Sequence, residues 1–299
     1  MSNRTAAGLV PFVVGVAAVF YGINYGNSPL HRVESWLGGN PGTILVWSGF
    51  ALALIGLGLY GAARFPSGLS LREQSLREQI LYLLGIGALA ILAWNTIAIA
   101  SLPEETQQGV TFKILFFHVP VAIAAMTAAC AAFLASAGFL VTRNFKFDAA
   151  AVATTEVGLA FLAANLVTGS IWGREIWGIW WTWDARLTSA LVCWLLYAGY
   201  LMLRKAIEDP TQRATFAAVF SIFAFIDVPI VIFSIKWWRT QHPQPVFWGG
   251  GSFPPDWTRH FWWNVLAMLM LGIVMVAVRL RQEDAQREID SLRRTAHAL

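Results

Sequence analysis

The chain has 299 residues, of which 57% are hydrophobic and 13% are charged, against roughly 25% charged in an ordinary soluble domain. So few charged side chains cannot cover a soluble surface. The net charge of +4 comes from basic residues scattered through short polar segments, so it does not indicate a nucleic-acid-binding surface.

The hydrophobic residues are grouped in blocks of bilayer length, about 20 residues each. Because a backbone in hydrocarbon must satisfy its polar groups within the segment, these blocks predict transmembrane helices. Eight are marked, at about 7–25, 43–63, 80–101, 118–142, 150–171, 188–203, 214–235 and 261–279. The sequence therefore predicts an all-α, polytopic transmembrane bundle of about eight spans.

The distribution of lysine and arginine predicts the orientation of these spans. An even number of spans places both termini on one side of the membrane. If that side is the cytoplasm, 14 basic residues lie inside and seven lie outside. This excess follows the positive-inside rule, so both termini are predicted to be cytoplasmic.

The polar segments contain no Walker motif, no GxGxxG and no HExxH. Neither nucleotide binding nor peptide cleavage is therefore predicted, and no residue pattern indicates catalysis.

Tryptophan is concentrated on the predicted outer face. Eleven of the 15 tryptophans lie in or beside two outer connections, and the inner loops contain none. An aromatic belt at headgroup level is the alternative interpretation, but a belt would occupy both interfaces. The asymmetry favours a surface built for binding. Its members are Trp172, Trp177, Trp180, Trp181 and Trp183 in the first connection, with Trp237, Trp238, Trp248, Trp257, Trp262 and Trp263 in or beside the last.

A wall of indoles suits a large, planar, apolar ligand, and porphyrin is the obvious candidate. Arg174 and Arg186 could pair with propionates, although arginines at a membrane edge also bind lipid phosphate. Asp184 is expected to orient Arg186 or to cap the following helix.

Four of the five histidines, His31, His118, His242 and His260, are predicted to lie on the outer side, and imidazole is a common axial ligand of haem iron. His118 stands two residues before Pro120, and this proline is expected in the first turn of a span, where it loses no needed hydrogen bond. His242 follows the seventh span. The residues alone do not choose His242 over His260, and they do not exclude His31.

Two acids, Glu156 and Asp227, fall within predicted spans. An intramembrane carboxylate indicates a functional site, but a hydrogen bond between helices explains it equally well.

The strings Val167-Thr-Gly-Ser-Ile-Trp-Gly173 and Trp177-Gly-Ile-Trp-Trp-Thr-Trp-Asp-Ala-Arg-Leu-Thr-Ser189 resemble the signature of the haem-handling "WWD" membrane proteins. Within them, the chain most closely resembles the haem exporter protein C family of system I cytochrome c maturation. Gln107-Gln-Gly109, Phe117-His-Val-Pro120, Asp227-Val-Pro-Ile230 and Trp237-Trp-Arg-Thr-Gln-His242 agree with it, and the match spans roughly residues 80–280.

The resemblance implies a six-span core in a bacterial inner membrane, with His118 and His242 as axial ligands of haem b. The loop 172–188 would form the platform, so the expected haem-binding set is His118, His242, Trp172, Trp177, Trp180, Trp181, Trp183, Asp184, Arg174, Arg186, Trp237 and Trp238. It also implies transfer of haem to a periplasmic haem chaperone, within a complex of an ABC-type ATPase, a second permease and a small membrane subunit.

Two features depart from the family pattern: the additional spans in residues 1–65, and the sequence that follows His242. The expected organisation is two extra helices in 1–65, a haem-handling core in 66–280 and a cytoplasmic tail in 281–299. One alternative is a synthetase-type WWD protein, which is usually much longer. Another is a proton-coupled transporter or quinone-reactive redox subunit that uses Glu156 and Asp227.

Overall fold

A computed structural model describes residues 71–243 and 254–297 of the chain. The predicted spans 7–25 and 43–63, together with His31, lie outside the described residues. The described part is helical, with a short 3₁₀ helix at Val110–Ile114. Its α-helices are α1 (Leu71–Ala100), α2 (Leu115–Thr142), α3 (Phe145–Trp177), α4 (Ala185–Ala206), α5 (Pro210–Phe225), α6 (Asp227–Trp237) and α7 (Pro255–His297).

Six helical segments in the described residues are long and apolar enough to cross a membrane. They are Leu76–Ala100, Val110–Thr142, Phe145–Trp177, Ala185–Ala206, Pro210–Trp237 and Pro255–Arg293. The predicted all-α, multi-span class is therefore confirmed, and the last six predicted spans each correspond to one of these segments.

The predicted span 214–235 is interrupted. It consists of α5 and α6, which meet at Ile226. Pro229 explains the break, because its ring has no N–H to donate and clashes with the carbonyl four residues earlier. Asp227 is the first residue of α6 and is buried there.

Contacts divide the chain into two units, Met1–Ile80 with Phe253–Trp263, and Leu81–Ser252 with Asn264–Leu299. In the first unit, the start of α7 carries the buried His260, and the rings of Phe261 and Trp262 meet edge to face with centroids 5.1 Å apart.

Small residues allow α2 and α3 to pack closely in the second unit. Ala124, Ala125 and Ala129 on α2 are buried in one core with Val157 on α3. At Gly158, an added Cβ would lie 3.0 Å from the Cβ of Ala128, so a side chain there would push the helices apart. This packing positions the ends of α2 and α3 that carry the candidate site.

The opposite end of α3 carries a buried acid that pairs with arginines of α4 and α7. Asp148 receives two hydrogen bonds from Arg204, at 2.5 and 3.1 Å, and one from Arg287 at 2.8 Å. Asp148 and Arg204 are both buried. Farther along the same helices, Glu156 pairs with Arg279, so this intramembrane acid has a basic partner. These contacts join α3 to α4 and α7.

Candidate functional site

A cleft opens at one end of the second unit, between α2, α3, α4 and the segment that follows α6. Its cavity volume is about 200 Å³, below the roughly 300–1,000 Å³ of typical ligand pockets, and part of the cleft is open to solvent. Its predicted site residues are His118, Trp172, Trp177, Trp181, Arg186 and His242. Apolar side chains such as Val119, Ala122, Met126, Leu166, Ile176 and Val231 line the rest.

His118 lies in the first turn of α2 and is held by α3. Its Nδ1 is 2.9 Å from the hydroxyl oxygen of Thr168, and its carbonyl accepts a hydrogen bond from the Asn165 amide at 3.0 Å. The expectation that Pro120 lies in the first turn is wrong, because α2 begins at Leu115. The preceding 3₁₀ helix extends the apolar segment toward the N-terminus, so Pro120 lies in the second turn.

The imidazole of His118 lies against two polar side chains of α3. The Thr168 hydroxyl beside Nδ1 also has the carbonyls of Ala164, at 2.8 Å, and of Asn165, at 3.1 Å, as acceptors. The amide nitrogen of Asn165 is 3.2 Å from Nδ1 and 3.4 Å from Nε2. Thr168 and Asn165 therefore hold the ring in one orientation beside the cleft.

The face of α3 that packs against His118 leaves room for the imidazole ring. At Gly169, an added Cβ would lie 2.9 Å from Cε1 of His118, so only glycine leaves room for the ring. Trp172, one turn farther along α3, meets the imidazole edge to face with centroids 5.7 Å apart. Its indole N–H donates to the side-chain carbonyl of Gln108 at 2.9 Å. A buried indole is therefore fixed beside His118.

The turn that carries Gln108 is organised by Glu105. The Glu105 carboxylate accepts from the backbone N–H of Gln108 at 2.7 Å and of Gln107 at 2.9 Å. Hydrogen bonds to the charged form, that from Gln108 first, lower the pKa of Glu105. Gly109 closes the turn at φ 59° and ψ −141°, a conformation that side chains rarely adopt.

The predicted loop 172–188 is shorter in the structure than the sequence indicated. Helix α3 continues to Trp177, and α4 begins at Ala185. Gly178 ends α3 in the left-handed conformation, with φ 76°, and its N–H bonds to the carbonyl of Arg174 at 3.1 Å. The tryptophans therefore belong partly to a helix, which limits the number that can face one ligand.

His242 lies beyond α6, on the other side of the cleft. Its Nδ1 is 3.0 Å from the carbonyl oxygen of Pro243. Since a carbonyl only accepts, Nδ1 carries the proton and Nε2 holds the lone pair. Burial, followed by the positive charge of Arg186, lowers the pKa of His242 to about 4, so the ring is neutral at neutral pH.

Asp184 joins the two sides of the cleft. Its Oδ1 caps α4 by accepting from the N–H of Leu187 at 2.9 Å. Its Oδ2 accepts from the hydroxyl of Thr240 at 2.7 Å and from the N–H of Gln241 at 3.3 Å. The expected helix cap is therefore present, and the second oxygen holds the segment that carries His242.

The two predicted arginines have different positions. Arg186 lines the cleft, and its guanidinium donates to the carbonyl of Val231 on α6. Arg174 donates to the carbonyl of Gly178 and is exposed. Of these two arginines, Arg186 alone is among the described residues that line the cleft.

The structure brings together half of the predicted haem-binding set. The other six residues are not among those that line the cleft: Trp180, Trp183, Trp237, Trp238, Arg174 and Asp184. The four tryptophans of this group are more than half exposed. Exposed indoles beside the cleft are typical of side chains at headgroup level.

Sequence reasoning missed Asn165, Thr168 and Thr240, which hold the histidines, and Gln108, which holds Trp172. Asn165 and Thr168 could have been found by helical spacing, because residues 165, 168, 169, 172 and 173 lie on one face of a helix. Polar residues on that face of an apolar span point to a partner inside the bundle. No local pattern identifies Thr240.

Together, the helical spans and this cleft define a membrane protein with imidazole and indole side chains around a pocket at one end of its bundle. Residues 70–295 match the family model described as heme exporter protein C. The chain belongs to the haem exporter protein C family.

The names of similar proteins agree with this assignment. The chain is 37% identical over 223 residues to heme exporter protein C of Bradyrhizobium diazoefficiens, which covers 74% of this chain and 85% of the relative. It is 34% identical over 183 residues to the protein of the same name from Escherichia coli K12, covering 60% and 73%. A putative cytochrome c biosynthesis ccmC-like mitochondrial protein of Marchantia polymorpha is 36% identical over 143 residues, covering 48% and 60%.

Proposed function

We propose that this protein binds haem between His118 and His242 and passes it to a periplasmic haem chaperone for cytochrome c maturation. The names of its relatives support haem export and cytochrome c biosynthesis. The observation that carries the proposal is that two histidines 124 positions apart line one cleft. The Nδ1 of His242 donates to the carbonyl of Pro243, which leaves the Nε2 lone pair for a metal. His118 and His242 would supply the two imidazole ligands of haem iron.

The remaining lining of the cleft also fits a porphyrin. Trp172, Trp177 and Trp181 offer apolar ring faces and edges, and the aliphatic side chains of α2 and α3 offer further apolar area. Arg186 supplies one positive charge for a propionate. Haem b, which is held without a covalent bond, is the form that such a site would release intact to an acceptor.

We further propose that the protein acts as a handling subunit without catalytic turnover of its own. Energy would come from an ABC-type ATPase, and a second permease and a small membrane subunit would complete the complex. The cleft would face the periplasm in a bacterial inner membrane, with both termini in the cytoplasm, as the distribution of basic residues predicts.

The test is an absorption spectrum of the purified full-length protein together with a pyridine haemochrome assay. We expect a low-spin Soret band in the parent, and a weakened or shifted band in His118→Ala and in His242→Ala. His260→Ala is the matched control, because the sequence alone did not separate His260 from His242 and His260 is not among the residues that line the cleft.

Absence of haem from the parent would refute the proposal. An unaltered haem content and spectrum in the double variant His118→Ala/His242→Ala would refute it equally. If His260→Ala lost as much haem as His242→Ala, His242 would not be the second ligand.

A further inference from the structure

The two histidines of the cleft are held in different ways. His118 is part of a long helix, and residues of the adjacent α3 contact its ring and its carbonyl. His242 lies outside the helices, past the end of α6 at Trp237. Its position therefore depends on the contacts that the described part of its segment, up to Pro243, makes with the bundle.

Those contacts form a chain of hydrogen bonds that begins at Asp184. The carboxylate accepts the hydrogen of the Thr240 hydroxyl at 2.7 Å. Because that hydroxyl has given up its only hydrogen, its lone pairs accept the backbone N–H of His242 at 3.0 Å. The N–H of Gln241 adds a second bond to the same carboxylate oxygen at 3.3 Å.

The Asp184 end of this series of hydrogen bonds is held in place by two helices. Asp184 is the N-cap of α4, and its second oxygen is bound to the N–H of Leu187. Two residues farther, Arg186 joins α4 to the carbonyl of Val231 on α6. The carboxylate thus stands at a fixed point between two helices, from which it can set the position of a loop.

We propose that Asp184 and Thr240 form a clasp that positions His242 for haem. The proposal rests on the function proposed above, in which His242 is an axial ligand. In this proposal Asp184 acts through His242 and does not contact haem itself. Both of its oxygens bind α4 and the His242 segment, and Asp184 does not line the cleft. Groups that orient a metal ligand in this way typically change metal affinity about 10–100-fold when removed.

Three substitutions test the clasp. Thr240→Val keeps the shape of the side chain but removes the hydroxyl that links Asp184 to His242. Asp184→Asn keeps a capping side chain but cannot supply two carboxylate oxygens, so one of the two attachments is lost. Thr240→Ser retains the hydroxyl and is the rescue variant.

Thr188→Val is the matched control, because it makes the same chemical change close to Asp184. Among the described residues, the Thr188 hydroxyl has no hydrogen-bond partner. Correct folding of every variant is checked by size-exclusion chromatography in detergent.

The readouts are haem affinity, from titration of the apoprotein with haemin, and the ligation state, from the absorption and electron paramagnetic resonance spectra. We expect Thr240→Val and Asp184→Asn to weaken binding about 10–100-fold and to shift the spectrum toward that of His242→Ala. Thr240→Ser and Thr188→Val should match the parent. In the His242→Ala background, Thr240→Val should have no further effect.

The possible failures are distinguishable. If the parent binds haem through His242 while Thr240→Val and Asp184→Asn match the parent, the clasp is refuted and the proposed function stands. If Thr240→Val has an equal effect in the His242→Ala background, the hydroxyl does not act through His242 and the clasp is refuted. If the parent binds no haem, both proposals fall.

Discussion

The side-chain amide of Asn264 donates a hydrogen bond to the carbonyl oxygen of Phe116, with 2.7 Å between the two atoms. In a regular helix that carbonyl would accept from residue 120, but Pro120 has no N–H. Asn264 also accepts from the Asn95 amide at 2.8 Å, and both asparagines are fully buried. A buried amide pair therefore compensates for the proline two residues after His118 and links α1, α2 and α7.

We expect Asn264→Leu to lower the free energy of unfolding by about 1–3 kcal/mol, because it leaves buried polar groups without this partner. The measurement is thermal unfolding of the detergent-solubilised protein. Gln212→Leu, at an exposed amide on α5, is the control and should be nearly neutral. In a Pro120→Ala background, where the helix can supply its own N–H, the cost of Asn264→Leu should be smaller. An equal cost in both backgrounds would contradict the proposed compensation.

At the opposite end of the bundle, we expect substitution of the buried Asp148 to lower the free energy of unfolding the most. Asp148→Asn leaves the buried Arg204 guanidinium with a neutral partner and weakens the bond to Arg287. Breaking a buried pair from one side typically costs about 3–5 kcal/mol.

Asp290→Asn is the control for that substitution. It alters a distant ion pair with Arg293, at 3.9 Å on exposed residues, and should cost at most about 1 kcal/mol. The two variants are compared by thermal unfolding. Similar losses of stability in both would show that the contacts of Asp148 with Arg204 and Arg287 do not stabilise the fold.

Gly169→Ala should disturb haem binding more than it disturbs the fold. The new methyl group would lie 2.9 Å from Cε1 of His118, so the imidazole has to move. Gly199→Ala is the matched control, since its methyl would make an ordinary contact of 3.5 Å with Phe220. The measurement is the Soret band and the haem content of both variants, and an unchanged spectrum in Gly169→Ala would contradict the fit around His118.

The turn before α2 should respond to acid. Because the pKa of Glu105 is lowered below its ordinary value of 4.5 in the folded protein, its carboxylate stabilises the native state above that pH. The stabilisation is lost as the pH falls through the folded pKa. The difference in Tm between the parent and Glu105→Gln should therefore be largest near neutral pH and shrink well below pH 4.5.

Glu104→Gln is the control for this pH series, because it removes the same charge one residue away without removing the hydrogen bonds of the turn. A difference between the parent and Glu105→Gln that stays constant with pH would contradict the role of the carboxylate.

Hydropathy alone identified the helical spans of the described residues, because burial in hydrocarbon depends on the composition of each segment. The same local reasoning gave the Asp184 cap as one of two alternatives, since a cap concerns neighbours within a few residues. It did not show that Pro229 divides one span into α5 and α6, although proline provides the physical reason. Nor did it show that α3 continues to Trp177 before Gly178 ends it.

The composition of the site was thus determined by the sequence: imidazoles, indoles and a guanidinium near one end of an apolar bundle. Which of them share the cleft was decided by the tertiary structure. Trp177 and Trp181 line it while Trp180 and Trp183 do not, because the end of α3 and the turn after it rotate neighbouring side chains in different directions. The partners of His118 and Asp184 lie 47 to 57 positions away, at Asn165, Thr168, Thr240 and Gln241, and only the packing of α3 on α2 and of the His242 segment on α4 brings them together.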